Sequence, residues 1–495
     1  MPNESRGTNV LMRRLRGTLW AGICVLFAGA AGAAPSFDKE SAVVFSSATP
    51  QAFTGTYPNL RMYFIRPSSG VEVGSALSVN GINWTEDSPV GRVSTNTLPT
   101  VSASSITGCG ILPLASGGFR MLYSIVSTTG AYRLHSATST NGLAWANDAG
   151  VRLEGGGTAL SSPKVVALND GSWRLYYIRG PAGAGQVYTA RSTDQGLTWS
   201  APTVAVSTLA YEVGASVLTN GLVRLYFTEP LPASSTVTVV LSALSGDAGG
   251  GLFTVESGFR VSTASSSGSI AFPVPVRSTD SFRWRLYYDF SDPGVVTTAP
   301  VHSALTGAPA PAVLAPASVL NLSPTATVIV YGDIFSLPAP TLQLALGGQT
   351  LLPTSVTRVD DQTLSAVFNV LNAPPGRWDL SVTNADGRAT TLPQSLLIDF
   401  PGGSITMTNN LLRPRTGTKT SIAITTFNDG HMLARLYTLD GRPVRTLFDG
   451  PNSKGVLLLS WDGNDAGGSP AASGVYLLRV LAPKIDLKDK IIVIR

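Results

Sequence analysis

Apolar and aromatic residues along this chain come in short runs broken by Gly, Pro, Asn and Ser, the pattern of strands and turns rather than helices. One run recurs five times: Arg61-Met62-Tyr63-Phe64, Arg120-Met121-Leu122-Tyr123, Arg174-Leu175-Tyr176-Tyr177, Arg224-Leu225-Tyr226-Phe227 and Arg285-Leu286-Tyr287-Tyr288, with Arg-to-Arg spacings of 59, 54, 50 and 61. A Ser/Thr-Ala pair follows each copy by 14 to 18 residues, from Ser75-Ala76 to Ser303-Ala304. Three copies run on into a polar turn closed by Trp: Asn80, Gly81 and Trp84; Asn141, Gly142 and Trp145; Asp194, Gly196 and Trp199. Asn and Gly accept positive φ, so these are hairpin turns, and the Trp can pack beneath each one. Five units of this size, each with about four strands, predict a five-bladed β-propeller over residues 36–303.

Downstream, residues 304–318 are rich in Ala and Pro and read as a semi-rigid linker. Apolar and polar residues then alternate through 319–399 and again through 402–495, the pattern of two immunoglobulin-like β-sandwiches. The predicted fold class is therefore all-β. Composition agrees: Gly (51) and Pro (33) are abundant in 495 residues, and charged residues make up only 13%. Such a chain cannot be a coiled coil or a charged disordered segment.

The N-terminus differs from the rest. Arg6, Arg13, Arg14 and Arg16 precede an apolar, small-residue run ending at Ala31-Gly32-Ala33. This is the pattern of a signal peptide over 1–33 with cleavage near Ala33, and hence of a secreted or cell-surface protein. Its loss changes 35 basic and 30 acidic residues to 31 and 29, so the net charge falls from +5 to +2. No Lys/Arg run survives, which argues against a nucleic-acid partner. No second apolar run is long enough to span a bilayer as a helix. Cys24 lies in the apolar run, so Cys109 is left without a disulfide partner.

These phrases carry resemblances. The three Trp-closed turns resemble the Asp-box (BNR) repeats of sialidase-like propellers, where such residues are structural. Ser162-Pro163-Lys164-Val165-Val166 with Asp170-Gly171-Ser172-Trp173-Arg174-Leu175-Tyr176-Tyr177 resembles a blade of the five-bladed glycoside hydrolases of the arabinanase, β-xylosidase and fructosidase type. Residues 319–399, with Tyr331-Gly332-Asp333 and Pro375-Gly376-Arg377-Trp378, resemble an IPT/TIG domain. Residues 402–495, with Leu439-Asp440-Gly441-Arg442-Pro443-Val444 and Trp461-Asp462-Gly463-Asn464-Asp465, resemble the Ig-like domain of flagellar hook-capping proteins. They are also similar to C-terminal sorting domains of type IX secretion cargo.

In a repeat protein, a residue present in every unit serves the unit. Function at the axis is expected in residues that break the repeat. The resemblance to five-bladed hydrolases implies catalytic carboxylates near the start of each first strand. That slot reads Thr49-Pro50, Gly108-Cys109, Ser162-Pro163, Glu212-Val213 and Phe272-Pro273, so only Glu212 is acidic. Asp289 and Glu229 are candidates for the second carboxylate that hydrolysis needs, and Tyr188, Tyr211 and Phe272 for sugar stacking. A sialidase would need an arginine triad as well. His135, His302 and His431 lie far apart in sequence, and Asp462, Asn464 and Asp465 are read as a self-bonded hairpin rather than a calcium site, so neither metal nor cofactor is expected. With one acid in the slot, the expectation is a non-catalytic binding protein whose propeller head takes a polysaccharide, glycan or surface protein. The alternative is a secreted glycoside hydrolase with Glu212 as general acid, and a second alternative is a sialidase.

Overall fold

A computed structural model describes residues 34–494, except 41–43, 47, 57–58, 67–70, 88–91, 98–102, 182–183, 232–233, 263–267, 279–281, 292–299, 400–401 and 414–416. The signal-peptide segment 1–33, with Cys24, lies outside the described residues. The described chain is all-β, with no α-helix and one 3-10 turn at Thr95–Thr97. It divides into two compact units, one ending at Gly307 and one beginning at Ala308.

The first unit contains five antiparallel sheets that follow one another along the chain. Their leading strands are Thr49–Thr56, Ala103–Pro113, Leu160–Ala167, Val213–Val217 and Ser269–Arg277. Each leading strand lies against the next, and the last lies against the first, so the five close a ring. The fifth sheet is completed from the other end of the unit. Phe37–Lys39 pairs with Val301–Thr306, in register Phe37↔Thr306, Asp38↔Leu305 and Lys39↔Ala304.

The repeated residues build this arrangement. In four sheets the repeated Arg meets an acid from the sheet's outer part: Arg61–Asp87 at 2.9 Å, Arg120–Asp148 at 3.2 Å, Arg224–Glu256 at 2.9 Å and Arg285–Glu40 at 2.9 Å. The Ser of each Ser-Ala pair donates to the same carboxylate, from Ser75, Ser136, Ser242 and Ser303. The third sheet carries no such acid among these pairs. Its Arg174 donates instead to the Gly249 carbonyl of the fourth sheet, at 2.8 Å.

The repeated Tyr ties one sheet to the next. Tyr63 donates to Gly142 O (3.0 Å), Tyr176 to Gly250 O (2.8 Å) and Tyr287 to Gly81 O (2.7 Å), so the last of these links the fifth sheet back to the first. The acceptors Gly81 and Gly142 belong to the Trp-closed turns. In those turns Asn80 Oδ1 accepts from the amides of Ile82 and Asn83, and Asn141 Oδ1 from those of Leu143 and Ala144. Trp84 and Trp145 donate to the carbonyls of Gly81 and Gly142. Asp194 likewise accepts from Leu197 and Thr198.

The second unit has two cores. One gathers Phe335, Phe368 and Trp378, and the other Met432, Trp461 and Leu478. The stretch 304–318 is not the linker its composition predicts. Val301–Thr306 ends the fifth sheet, Ala310–Ala315 pairs with Ala326–Asp333, and Ser318–Leu320 pairs with Ala389–Asp399. Ala310–Ala315 is an edge strand with a register shift at Pro311, the places where a sheet tolerates a residue without an N–H. In the Trp461-Asp462-Gly463-Asn464-Asp465 hairpin the acids serve the local backbone. Asp462 Oδ1 accepts from Asn464 N at 3.0 Å and from Arg445 at 2.9 Å, and Asp465 Oδ1 accepts from Gly467 N and Ser469 N, both at 2.9 Å.

Candidate active site

The heads of the five leading strands converge where the ring is narrowest. A Cβ on Gly214 would meet Pro273 O at 2.0 Å, so neighbouring backbones approach as closely as glycine permits. Four of the five strands carry a register irregularity here, at Pro50/Ala52, Ile106/Gly108, Ser161/Lys164 and Ala271/Val274. Ser162 and Phe272, each followed by Pro, sit at φ 52° and 51°, a left-handed conformation that costs a bulky side chain energy and recurs at functional sites.

Glu212 stands at this head, half-buried, just before the strand Val213–Val217. Thr228 fixes it twice: its hydroxyl donates to Glu212 Oε2 and accepts from the Glu212 amide at 3.2 Å. The Phe272 amide also reaches the carboxyl. Burial pushes the carboxyl up to about 7, against the lowering pull of Thr228, Lys164 and the Phe272 amide.

Asp289 faces the same space. It lies four residues after the repeated Arg285, as Thr228 does after Arg224, and pairs with Ala271 beside Phe272. It is 7% exposed, and its buried Oδ1 has no hydrogen-bond partner. Burial, and then the charge of Glu212, push it too up to about 7. The head of the ring thus holds two interacting carboxyls that both resist ionisation below neutral pH. Near pH 7 such a pair carries about one proton, and the titration belongs to the pair rather than to either member.

The other sequence candidates divide. Tyr211 adjoins Glu212, half-buried, with its amide on Thr228 O at 3.0 Å, and Phe272 is half-buried beside them. Tyr188 is not in this group. It belongs to the third strand of its sheet, opposite Tyr177, with the Arg179 guanidinium 5.5 Å from its ring. Glu229 follows Thr228 on the strand Val223–Leu231, and side chains alternate between faces, so it points away from Glu212. His135 and His302 occupy equivalent places, stacked on Tyr123 and Tyr288 at 6.0 Å, and are held below the usual imidazole range by burial.

No family model matches the chain, and no curated protein does either. Solved structures do. The chain is similar to a thermostable family-43 glycoside hydrolase, with 13% identity, a TM-score of 0.42, and 54% of this chain and 91% of that one covered. It is similar to the endo-arabinase from Bacteroides thetaiotaomicron, with 11% identity, a TM-score of 0.41, and 55% and 96% covered. It is similar to a glycosyl hydrolase from Bacteroides ovatus, with 17% identity, a TM-score of 0.42, and 55% and 93% covered.

Two residues at the ring escaped the sequence reading. Opposite the residue two after each repeated Arg, the leading strands carry Ala52, Gly110, Lys164, Gly214 and Val274. Lys164 alone breaks this run of small and apolar residues. Its buried ammonium donates to Gln51 O (2.5 Å), Gln51 Oε1 (3.2 Å) and Cys109 O (3.3 Å), which uses all three protons. Burial lowers its pKa to about 8, against the raising effects of Cys109 and Glu212. Gln51, Cys109 and Lys164 together form a polar layer across the ring beneath the carboxyl pair. The signal for Lys164 was its charge at a position otherwise small or apolar, legible only once the strand register is known.

Proposed function

We propose that residues 36–306 form a five-bladed β-propeller whose head hydrolyses glycosidic bonds, with Glu212 and Asp289 as its carboxyl pair. The observation that carries this reading is the pair itself. Glycoside hydrolysis takes one protonated and one ionised carboxyl, and a coupled pair titrating near 7 supplies both in one state. Glu212, half-exposed and oriented by Thr228, is assigned the proton for the leaving oxygen. Asp289, with a free Oδ1, is assigned the negative charge that meets the sugar's developing cation, directly or through water. Tyr211 and Phe272 offer rings for a sugar face. The expectation of a non-catalytic binder rested on a single acid in the slot, and Asp289 removes that ground. A sialidase is not favoured, since the cation acting on Glu212 is Lys164 rather than an arginine cluster.

The test is release of reducing sugar from a panel of arabinan, xylan and mannan oligosaccharides. Glu212→Gln and Asp289→Asn are each expected to reduce turnover at least ~10³-fold with the thermal transition retained. Turnover that survives both substitutions would sink the assignment. Glycan binding with no turnover, lost in Tyr211→Ala, would instead restore the binding-protein reading.

For the rest of the chain we propose two immunoglobulin-like sandwiches carrying the propeller, and export directed by residues 1–33. Removing residues 402–495 and finding export and final location unchanged would leave the last sandwich as a spacer and exclude a sorting role.

A further inference from the structure

The ring has a second opening. Below the Gln51–Cys109–Lys164 layer lies a cavity of about 380 Å³, lined by the later residues of the leading strands and by Trp284. It reaches the surface at Gly55 and Ala167, both exposed. The leading strands run in step: Ser162 Oγ touches Val213 N, and Gly108 lies against Ser162. The head residues Gly108, Ser162, Glu212 and Phe272 are all absent from the cavity wall. The cavity therefore faces the end of the axis remote from Glu212 and Asp289.

Its wall is mostly apolar, and its polar groups all point to one kind of ligand. Gln51 Oε1 accepts from Lys164 and from the Cys109 amide at 3.4 Å, which fixes the amide's orientation. Gln51 Nε2 is then a buried donor with no acceptor, on a fully buried residue. Trp284 Nε1 is a second buried donor without an acceptor, on a residue 5% exposed. Two cations line the same space, Lys164 at its inner end and Arg277 near its mouth, the latter with its guanidinium 4.3 Å from the Trp284 ring centre. No Asp or Glu lines it. Arg277 also breaks the repeat. It pairs with Trp284, and the equivalent positions in the other four sheets are Gly55, Pro113, Ala167 and Val217. Three residues separate the Arg277 level from that of Lys164, about 10 Å along a strand.

We propose that this cavity is a second ligand site, which takes a small amphipathic carboxylate: the anionic group held by the Gln51 and Trp284 donors in the field of Lys164 and Arg277, the apolar body against the valines of the wall. Apolar pockets of this size with a few convergent polar groups are the usual form of small-molecule sites. A buried donor left without an acceptor costs free energy that a ligand oxygen recovers. The proposal does not rest on the hydrolase reading, because it concerns the other end of the axis.

The test compares 3-phenylpropionate with the neutral 3-phenylpropan-1-ol on the full-length secreted protein, by saturation-transfer NMR and by titration of the indole N–H resonances. The acid is expected to bind at least tenfold more tightly and to shift the Trp284 resonance, identified by its loss in Trp284→Phe. Arg277→Gln, at the half-buried rim, is expected to weaken the acid at least threefold. Ala167→Trp, on the exposed mouth, is expected to abolish binding, and Glu212→Gln to leave it unchanged. The site is refuted if neither probe binds, if acid and alcohol bind equally, or if Arg277→Gln and Ala167→Trp are without effect. It is also refuted if a high-resolution structure with the acid present shows only waters on Gln51 and Trp284. Lys164→Met is a useful addition where it folds, but the outcome does not depend on it.

Discussion

Glu212 and Asp289 oppose folding when both are charged, and this gives the molecule a pH signature of its own. Each carboxyl titrates near 7 in the folded chain, above its ordinary value of 4.5 or 3.8. The folded state therefore binds more protons than the unfolded chain between about pH 4 and pH 7, and stability falls as pH rises through that window. Urea unfolding at pH 5 and pH 8 should show the native state weaker at the higher pH by about 1–3 kcal/mol. Asp289→Asn should remove most of that difference and raise stability at pH 8, even as it abolishes turnover. A variant equally pH-dependent would mean that the pair is not the source. Cys109 gives a second residue-scale expectation. Its thiol is fully buried and pushed up to about 12 by burial, so iodoacetamide should label it only at the rate of global unfolding. Rapid labelling of the native protein would contradict the polar layer in which its backbone takes part.

Among the elements, the clearest economy is the shared use of Arg, Ser and acid inside a sheet. Arg224 contacts both oxygens of Glu256, at 2.9 and 3.0 Å, and Ser242 donates to the same carboxylate at 2.6 Å. Arg224 is 3% exposed, so removing the acid strands a buried cation. Glu256→Gln is expected to cost about 3–5 kcal/mol in chemical denaturation, whereas a solvated surface pair would cost under about 1. The Trp-closed turns rest on smaller terms. Asn141→Ala loses two backbone-directed bonds and should cost about 1–2 kcal/mol. The repeated Arg, Ser and Asn were readable because repetition itself separates structural residues from the rest. Their acidic partners were not readable as partners, since Asp87, Asp148 and Glu256 come from the outer part of each sheet and Glu40 from the opposite end of the unit. The Ala/Pro stretch misled for a related reason. Pro311 fits an edge strand as well as it fits a linker, and composition does not distinguish an edge from a tether.

Across the whole molecule, the sequence conveyed the number and order of the sheets far better than the contents of the ring. Glu212 stood out because it is the single acid in its slot. Asp289 and Lys164 reach the axis through strand register, and four local register irregularities shift that register by amounts no linear count from the repeated Arg reveals. Both ends of the axis are thereby furnished by residues that depart from the repeat, with the carboxyl pair at one end and Lys164 and Arg277 at the other.

The pairing of Asp38 with Leu305 has a temporal consequence. A chain made from its N-terminus emerges with its closing strand first and that strand's partner nearly last. Every intermediate length then holds an open ring with an unsatisfied strand edge, and closure waits on the longest-range contact in the unit. The completed ring is a late, all-or-none event, and a chain threading through a membrane before Thr306 appears would still be unclosed, and so able to pass.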